Sequence, residues 1–163
     1  MKRVVLMVIP ALICGVIFTS FGSINTQEVN SKIPYGYPVV RETATIGSGF
    51  GERIHPVTGE KRVHTGIDFV NNDNKEVFST ADGKVIKAEF GENGEGNYVI
   101  VEHSDEYTTF YSHLNKFTVK QGDIVVKGQV IGYIGKTGLA TSEHLHYEIR
   151  KNGQAISPEE YLR

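Results

Sequence analysis

The amino-acid sequence predicts an all-β fold, and three observations carry that prediction. Eighteen glycines punctuate short β-rich runs, the pattern of tight turns between strands. No long helical periodicity appears after residue 23. Asn152-Gly153 is a strong turn signal near the C-terminal end.

An apolar segment precedes the β-rich region. Lys2 and Arg3 open the chain, and residues 4–21 follow without a charge. A basic start and such an apolar run read as an export signal. The run, about 18 residues, is at the border between a signal peptide and a spanning helix, and Pro10 interrupts it. Ser20-Phe21-Gly22 puts small residues at the −3 and −1 positions of a cut after Gly22. Residues 1–22 are therefore read as a signal peptide, with an uncleaved membrane anchor through residues 4–21 as the alternative. Either reading places the remainder outside the cytoplasm: periplasmic, in the cell envelope or extracellular. Ile13 is bulky where lipid-attachment sites before a cysteine have a small residue, so Cys14 is not read as lipidated. The polar residues 23–37 read as a linker, and residues 38–163 as the folded domain.

Within that domain the elements follow in order. Residues 39–45 alternate loosely, and Gly47-Ser48-Gly49-Phe50-Gly51 is a glycine-rich turn. It is not a phosphate loop, because the Lys-Ser/Thr ending and the following helix are missing. Residues 53–63 read as a loop or a long hairpin tip. Strands are expected at 76–80, 83–90, 97–103, 107–113, 127–134 and 144–150, with a hairpin across Ser104-Asp105-Glu106. Ser157-Pro158 suits the N-cap and first position of one final helical turn.

Composition narrows the chemistry. Hydrophobic residues at 39% and charged residues at 22% are an ordinary globular balance. A net charge of −2 leaves no electrostatic footprint for nucleic acid. The single cysteine lies in the apolar segment, so any metal in the domain must be held by histidine and carboxylate.

Two clusters offer such donors. In His144-Leu145-His146-Tyr147-Glu148-Ile149, period two puts His144, His146 and Glu148 on one strand face. Leu145, Tyr147 and Ile149 take the other, which is the natural core face. Histidines two apart lie roughly 6.5–7 Å apart at Cα, which suits one ligand and one neighbour, or two ligands. His64 and Asp68 on a straight strand would lie about 13 Å apart, too far for one zinc ion with bonds of about 2 Å. Gly66 resolves this by permitting a bend or bulge between them. A lone histidine on a half-buried strand is usually only a satisfied polar residue. His55 reads as a loop residue, with a place along the groove as the alternative, and His103 as a solvated strand end; Asn97, Tyr98 and Glu148 read as structural, with substrate contact or support of a ligand as the alternative.

Several ordered blocks then resemble the lysostaphin-type peptidases, the LytM or M23 family of zinc endopeptidases. They are Ser48-Gly49-Phe50-Gly51 with Arg53 and His55-Pro56; His64-Thr65-Gly66-Ile67-Asp68; Gly96-Asn97-Tyr98-Val99; Tyr111-Ser112-His113-Leu114; Gly128-Gln129-Val130-Ile131-Gly132; and His144-Leu145-His146-Tyr147-Glu148. The resemblance implies antiparallel β-sheets forming a narrow groove, with peptides of bacterial peptidoglycan as substrate. It implies Zn2+ held by His64, Asp68 and His146, with His113 and His144 as the catalytic pair. Some family members carry a tyrosine before the first ligand, but residues 50–64 contain none. Two rivals are a wall-binding activator without catalysis and a lipoyl- or biotinyl-type barrel, suggested by residues 119–132. The second lacks the Met-Lys or Asp-Lys hairpin of such carriers.

Overall fold

A computed structural model describes residues 31–54 and 59–163. The apolar segment at 1–22, most of the linker, His55 and Pro56 lie outside the described residues. Among the described residues no helix is long and apolar enough to cross a membrane.

Among the described residues there are thirteen strands: β1 (Thr45–Ser48), β2 (Gly51–Ile54), β3 (Lys61–His64), β4 (Ile67–Val70), β5 (Glu76–Phe78), β6 (Gly83–Gly91), β7 (Gly96–Glu102), β8 (Tyr107–Leu114), β9 (Lys116–Phe117), β10 (Ile124–Val125), β11 (Val130–Tyr133), β12 (Leu145–Lys151) and β13 (Gln154–Ile156). All described pairings are antiparallel. The main sheet has eight strands, seven of them in the order β1-β4-β12-β8-β7-β6-β10 and β13 beside β12. A second sheet, β5-β11-β9, supplies Val77 and Ile131 to the core that the main sheet lines with Phe69, Val99, Tyr111, Tyr147 and Ile149. The hairpin β2-β3 stands apart from both.

The period-two reading of β12 holds, since Leu145, Tyr147 and Ile149 are fully buried. So does the final turn: Pro158–Tyr161 is a 3-10 turn, and the Ser157 side chain accepts from the Glu159 N–H. Gly47 and Ser48 depart from the turn reading and belong to the edge strand β1. Three of its four residues are exposed, so it carries no apolar alternation to read. Ahead of Pro38 the chain is already bound to the domain, through Tyr35 N–H to the Thr80 carbonyl and Gly36 N–H to the Tyr161 carbonyl.

His103 is not a solvated strand end; it is 3% exposed. The Asp82 carbonyl can only accept, so Nδ1 donates to it at 2.9 Å and Nε2 receives the Thr109 hydroxyl at 2.7 Å. Thr109 in turn meets the Tyr111 hydroxyl, which meets Thr80, which meets the Tyr147 hydroxyl. Each polar group of this chain is thus satisfied inside an apolar core.

Burial lowers the His103 pKa to about 4, against a partial rise from the Asp82 carbonyl. A depressed histidine pKa means that acid favours the unfolded chain. The contribution is therefore complete above pH ~6.5 and is lost as pH falls from there towards 4. Urea unfolding is expected to show about 3 kcal/mol less stability at pH 4 than at pH 7 from this residue. A His103→Gln variant should lack that slope; an equal slope in both proteins would refute the assignment.

Candidate metal centre and its groove

The groove lies on the face of the main sheet opposite the core. β12 pairs with β4 so that His146 faces Asp68, and with β8 so that His146 also neighbours Ser112. His64 ends β3, and the chain bends at Thr65-Gly66 before β4 begins. Gly66 is needed there for space. A Cβ on it would lie 2.3 Å from the Tyr147 carbonyl oxygen and 2.9 Å from His146 Cε1. The expected bend is present, and the glycine also lets this corner sit against β12.

That corner brings three donor atoms together. His64 Nε2, Asp68 Oδ1 and His146 Nδ1 are each 3.0 Å from the other two. The protonation of the two imidazoles follows from their outer contacts. His64 Nδ1 lies 2.7 Å from the Gly49 carbonyl, an obligatory acceptor, so Nδ1 carries the hydrogen and Nε2 is bare. His146 Nε2 lies 3.0 Å from Glu148 Oε1, so Nε2 donates and Nδ1 is bare.

Two nitrogen lone pairs and a carboxylate oxygen can therefore converge on one point, a grouping that could hold a metal ion. Bonds of about 2 Å from a zinc ion would reach all three corners of such a triangle. Two neutral imidazoles and one carboxylate are the donor set of a catalytic zinc.

The surrounding charges follow the same logic. Burial would raise the Asp68 pKa, but His146 and His64, when either carries a proton towards it, outweigh burial and hold the carboxyl well below its usual range. Burial would lower that of His146, but Asp68 and Glu148 raise it on balance. Glu148 is 4% exposed. It accepts from His146, from Thr65 Oγ1 at 2.5 Å and from Arg150 Nε at 2.7 Å. These bonds outweigh its burial and hold it ionised, with a pKa of about 2. Glu148 thus sets which nitrogen of His146 is bare. The Glu148→Ala variant is expected to bind zinc about 10–100-fold more weakly. Competition with a chromogenic chelator measures this, and unchanged affinity would refute it.

His113 and His144 stand beside this triangle. Their rings are 4.8 Å apart, and His113 is 6.2 Å from the His146 ring. His144 Nε2 is 3.8 Å from Asp68 Oδ1. Each ring is held through Nδ1 by a backbone carbonyl, Thr137 at 3.0 Å for His113 and Ser142 at 2.9 Å for His144. Both Nε2 atoms are therefore left bare. Burial and the neighbouring His144 lower the His113 pKa to about 4, so it is neutral at physiological pH.

Strand alternation alone would turn His113 away from the groove. Tyr111 and Leu114 belong to the core, yet Ser112 and His113 both line the groove. The register between β7 and β8 slips here, and His113 has φ 60°. This bulge re-aims the side chain, as bulges beside active sites do. Two interlocked loops hold it. His113 N–H donates to the Glu95 carbonyl, and Leu139 N–H to the Gly94 carbonyl. Gly138, at φ 70°, packs so closely that a Cβ would lie 2.2 Å from the Gly94 oxygen.

The cleft measures about 450 Å³, and Arg53, Arg62, Glu95 and Phe110 line it together with the five histidine and aspartate positions. In the sequence Arg53 figures only as part of a family-like block and Arg62 not at all, because exposed charges on a hairpin look like any solvated surface. Asn97 donates to the Leu114 and Asn115 carbonyls, and Tyr98 packs on Phe110.

Comparison with known proteins agrees with this arrangement. The profile of Peptidase family M23 matches residues 62–158. Peptidoglycan DD-endopeptidase ShyB of Vibrio cholerae is 45% identical over 114 residues, which is 69% of this chain and 26% of that protein. This chain thus spans about a quarter of the length of the curated relatives it matches. A zinc-containing peptidase from Vibrio cholerae superimposes with a TM-score of 0.70 at 40% identity, covering 77% of this chain and 39% of that one. The catalytic domain of the antimicrobial peptidase lysostaphin from Staphylococcus simulans gives 0.66 at 32%, covering 74% and 92%. The chain belongs to peptidase family M23, a family of zinc-dependent metallopeptidases.

Proposed function

We propose that this domain is a zinc-dependent endopeptidase that hydrolyses peptide bonds in the stems or cross-links of bacterial peptidoglycan. It acts outside the cytoplasm, exported by residues 1–22 or anchored through residues 4–21. The observation that carries this reading is the convergence of three bare donor atoms within 3.0 Å, flanked by two further imidazoles with bare Nε2. A relative named as a peptidoglycan DD-endopeptidase supports the substrate class.

In this reading His64, Asp68 and His146 hold the metal. Bound there, zinc lowers the pKa of a coordinated water and polarises the scissile carbonyl. One bare Nε2 of the His113–His144 pair takes the proton of the attacking water, and that same proton is then handed to the departing amine, directly or through the other imidazole. The Thr137 and Ser142 carbonyls keep both rings turned with Nε2 inward throughout. All five positions are occupied by residues that can do this work, which favours an enzyme over a silent activator.

The test is incubation of the protein with purified peptidoglycan, followed by mass spectrometry of the released peptides. Release is expected from wild type, should stop with a chelator and return with added zinc. His146→Ala should release none. No chelator-sensitive release from several wall types would defeat the proposal.

A further inference from the structure

The β2-β3 hairpin forms one wall of the groove, and its pairing is unusual. Arg53 of β2 lies directly opposite Arg62 of β3. Like charges directly opposite on paired strands are destabilising. Two residues along each strand, the next pair of that face is Gly51 with His64, so the arginines share the side on which His64 meets the metal centre. Both arginines line the groove.

Neither is committed to a strong partner. Arg53 Nη1 donates to Ser48 Oγ at 2.8 Å and is 3.5 Å from Asp68 Oδ2. A metal on Asp68 draws off that carboxylate's charge and leaves Arg53 less neutralised. Arg62 Nη2 donates to Glu60 at 2.9 Å, but both side chains are more than half exposed. Such surface pairs are weak and exchange readily. The groove also carries an acidic residue, Glu95, from the loop before β7.

We propose that Arg53 and Arg62 form a subsite for a free carboxylate on the peptide substrate, beside the scissile bond. Two guanidinium forks present parallel N–H donors that suit a carboxylate and discriminate against its uncharged carboxamide. An anion between them also relieves the repulsion built into the hairpin. Arg53 is within 3.5 Å of Asp68, which sets the carboxylate close to the bond being cut. Glu95 disfavours the same carboxylate on its own side of the groove and so gives the peptide one direction. The subsite rests on the peptidase reading for its substrate, but binding tests it separately from turnover.

The probes are two synthetic stem peptides that differ only in a free carboxylate or a carboxamide on the residue adjoining the cleavable bond. Titration calorimetry measures their binding to the zinc-loaded His113→Gly protein, with and without Arg62→Gln. The carboxylate peptide is expected to bind about tenfold or more tightly. Arg62→Gln should bring the ratio near one while zinc content and carboxamide affinity stay unchanged. Arg62→Glu should invert the preference. Equal binding of both peptides, a ratio that survives Arg62→Gln, or binding of neither peptide would overturn the subsite. Wild type that fails to cleave but still discriminates would defeat the peptidase reading and leave the subsite standing.

Discussion

Replacing Gly66 by alanine is expected to strip the protein of zinc and activity and to lower its melting temperature. The added Cβ would fall 2.3 Å from the Tyr147 carbonyl oxygen and 2.9 Å from its carbonyl carbon. These are backbone atoms of a central strand, held on both sides by β4 and β8. They cannot swing aside as a flexible side chain would. Either β12 or the corner between β3 and β4 must shift, and His64, Asp68 and His146 ride on those pieces. Overpacking of this kind costs about 3 kcal/mol or more. For a domain of this size that is roughly 10 °C in Tm. Zinc stoichiometry by atomic absorption, with Tm measured before and after chelation, checks both parts. The stability loss should persist in the metal-free protein, since the clash does not involve the ion. A variant with full zinc and an unchanged Tm would refute the role given to Gly66.

His113→Gly should separate activity from stability. Losing a proton-transfer imidazole typically lowers kcat by about 10²–10⁴-fold. His113 is outside the donor triangle, so zinc content is expected to be unchanged. Its backbone is in the left-handed region at φ 60°, which glycine adopts without strain. That relief, about 1 kcal/mol, roughly offsets the lost bond from Nδ1 to Thr137. The variant should therefore melt close to wild type while peptide release collapses. A large fall in Tm, or loss of zinc, would mean that His113 serves the fold or the metal instead. Comparison of kcat and KM completes the test, because a proton-transfer role acts on kcat.

How far the sequence reaches depends on what each residue type must satisfy. β12 was legible because period two separates His144, His146 and Glu148 from a fully buried Leu145, Tyr147 and Ile149. The corner at Gly66 was legible because no straight strand lets His64 and Asp68 meet. His113 was legible only through resemblance to a family, since its bulge reverses the side that alternation assigns. β9 and β10 have two residues each, too few for any period to show. The arginine pair and the burial of His103 are tertiary facts. Each depends on which distant strand arrives alongside, and no local pattern records it.

The polar chain from Tyr147 through Thr80, Tyr111 and Thr109 to His103 has a consequence for assembly of the sheet. Its members sit on β8 and β12, in the turn between β5 and β6, and just past β7. Apolar side chains tolerate sliding past one another, whereas hydroxyls and an imidazole at matched heights do not. A shift of β8 against β12 by one residue would flip its side chains to the other face and strand these groups among hydrocarbon. The chain therefore works as a vernier: it rejects neighbouring alignments that the apolar core would accept. His146 stands beside Ser112 because β8 and β12 close in that alignment.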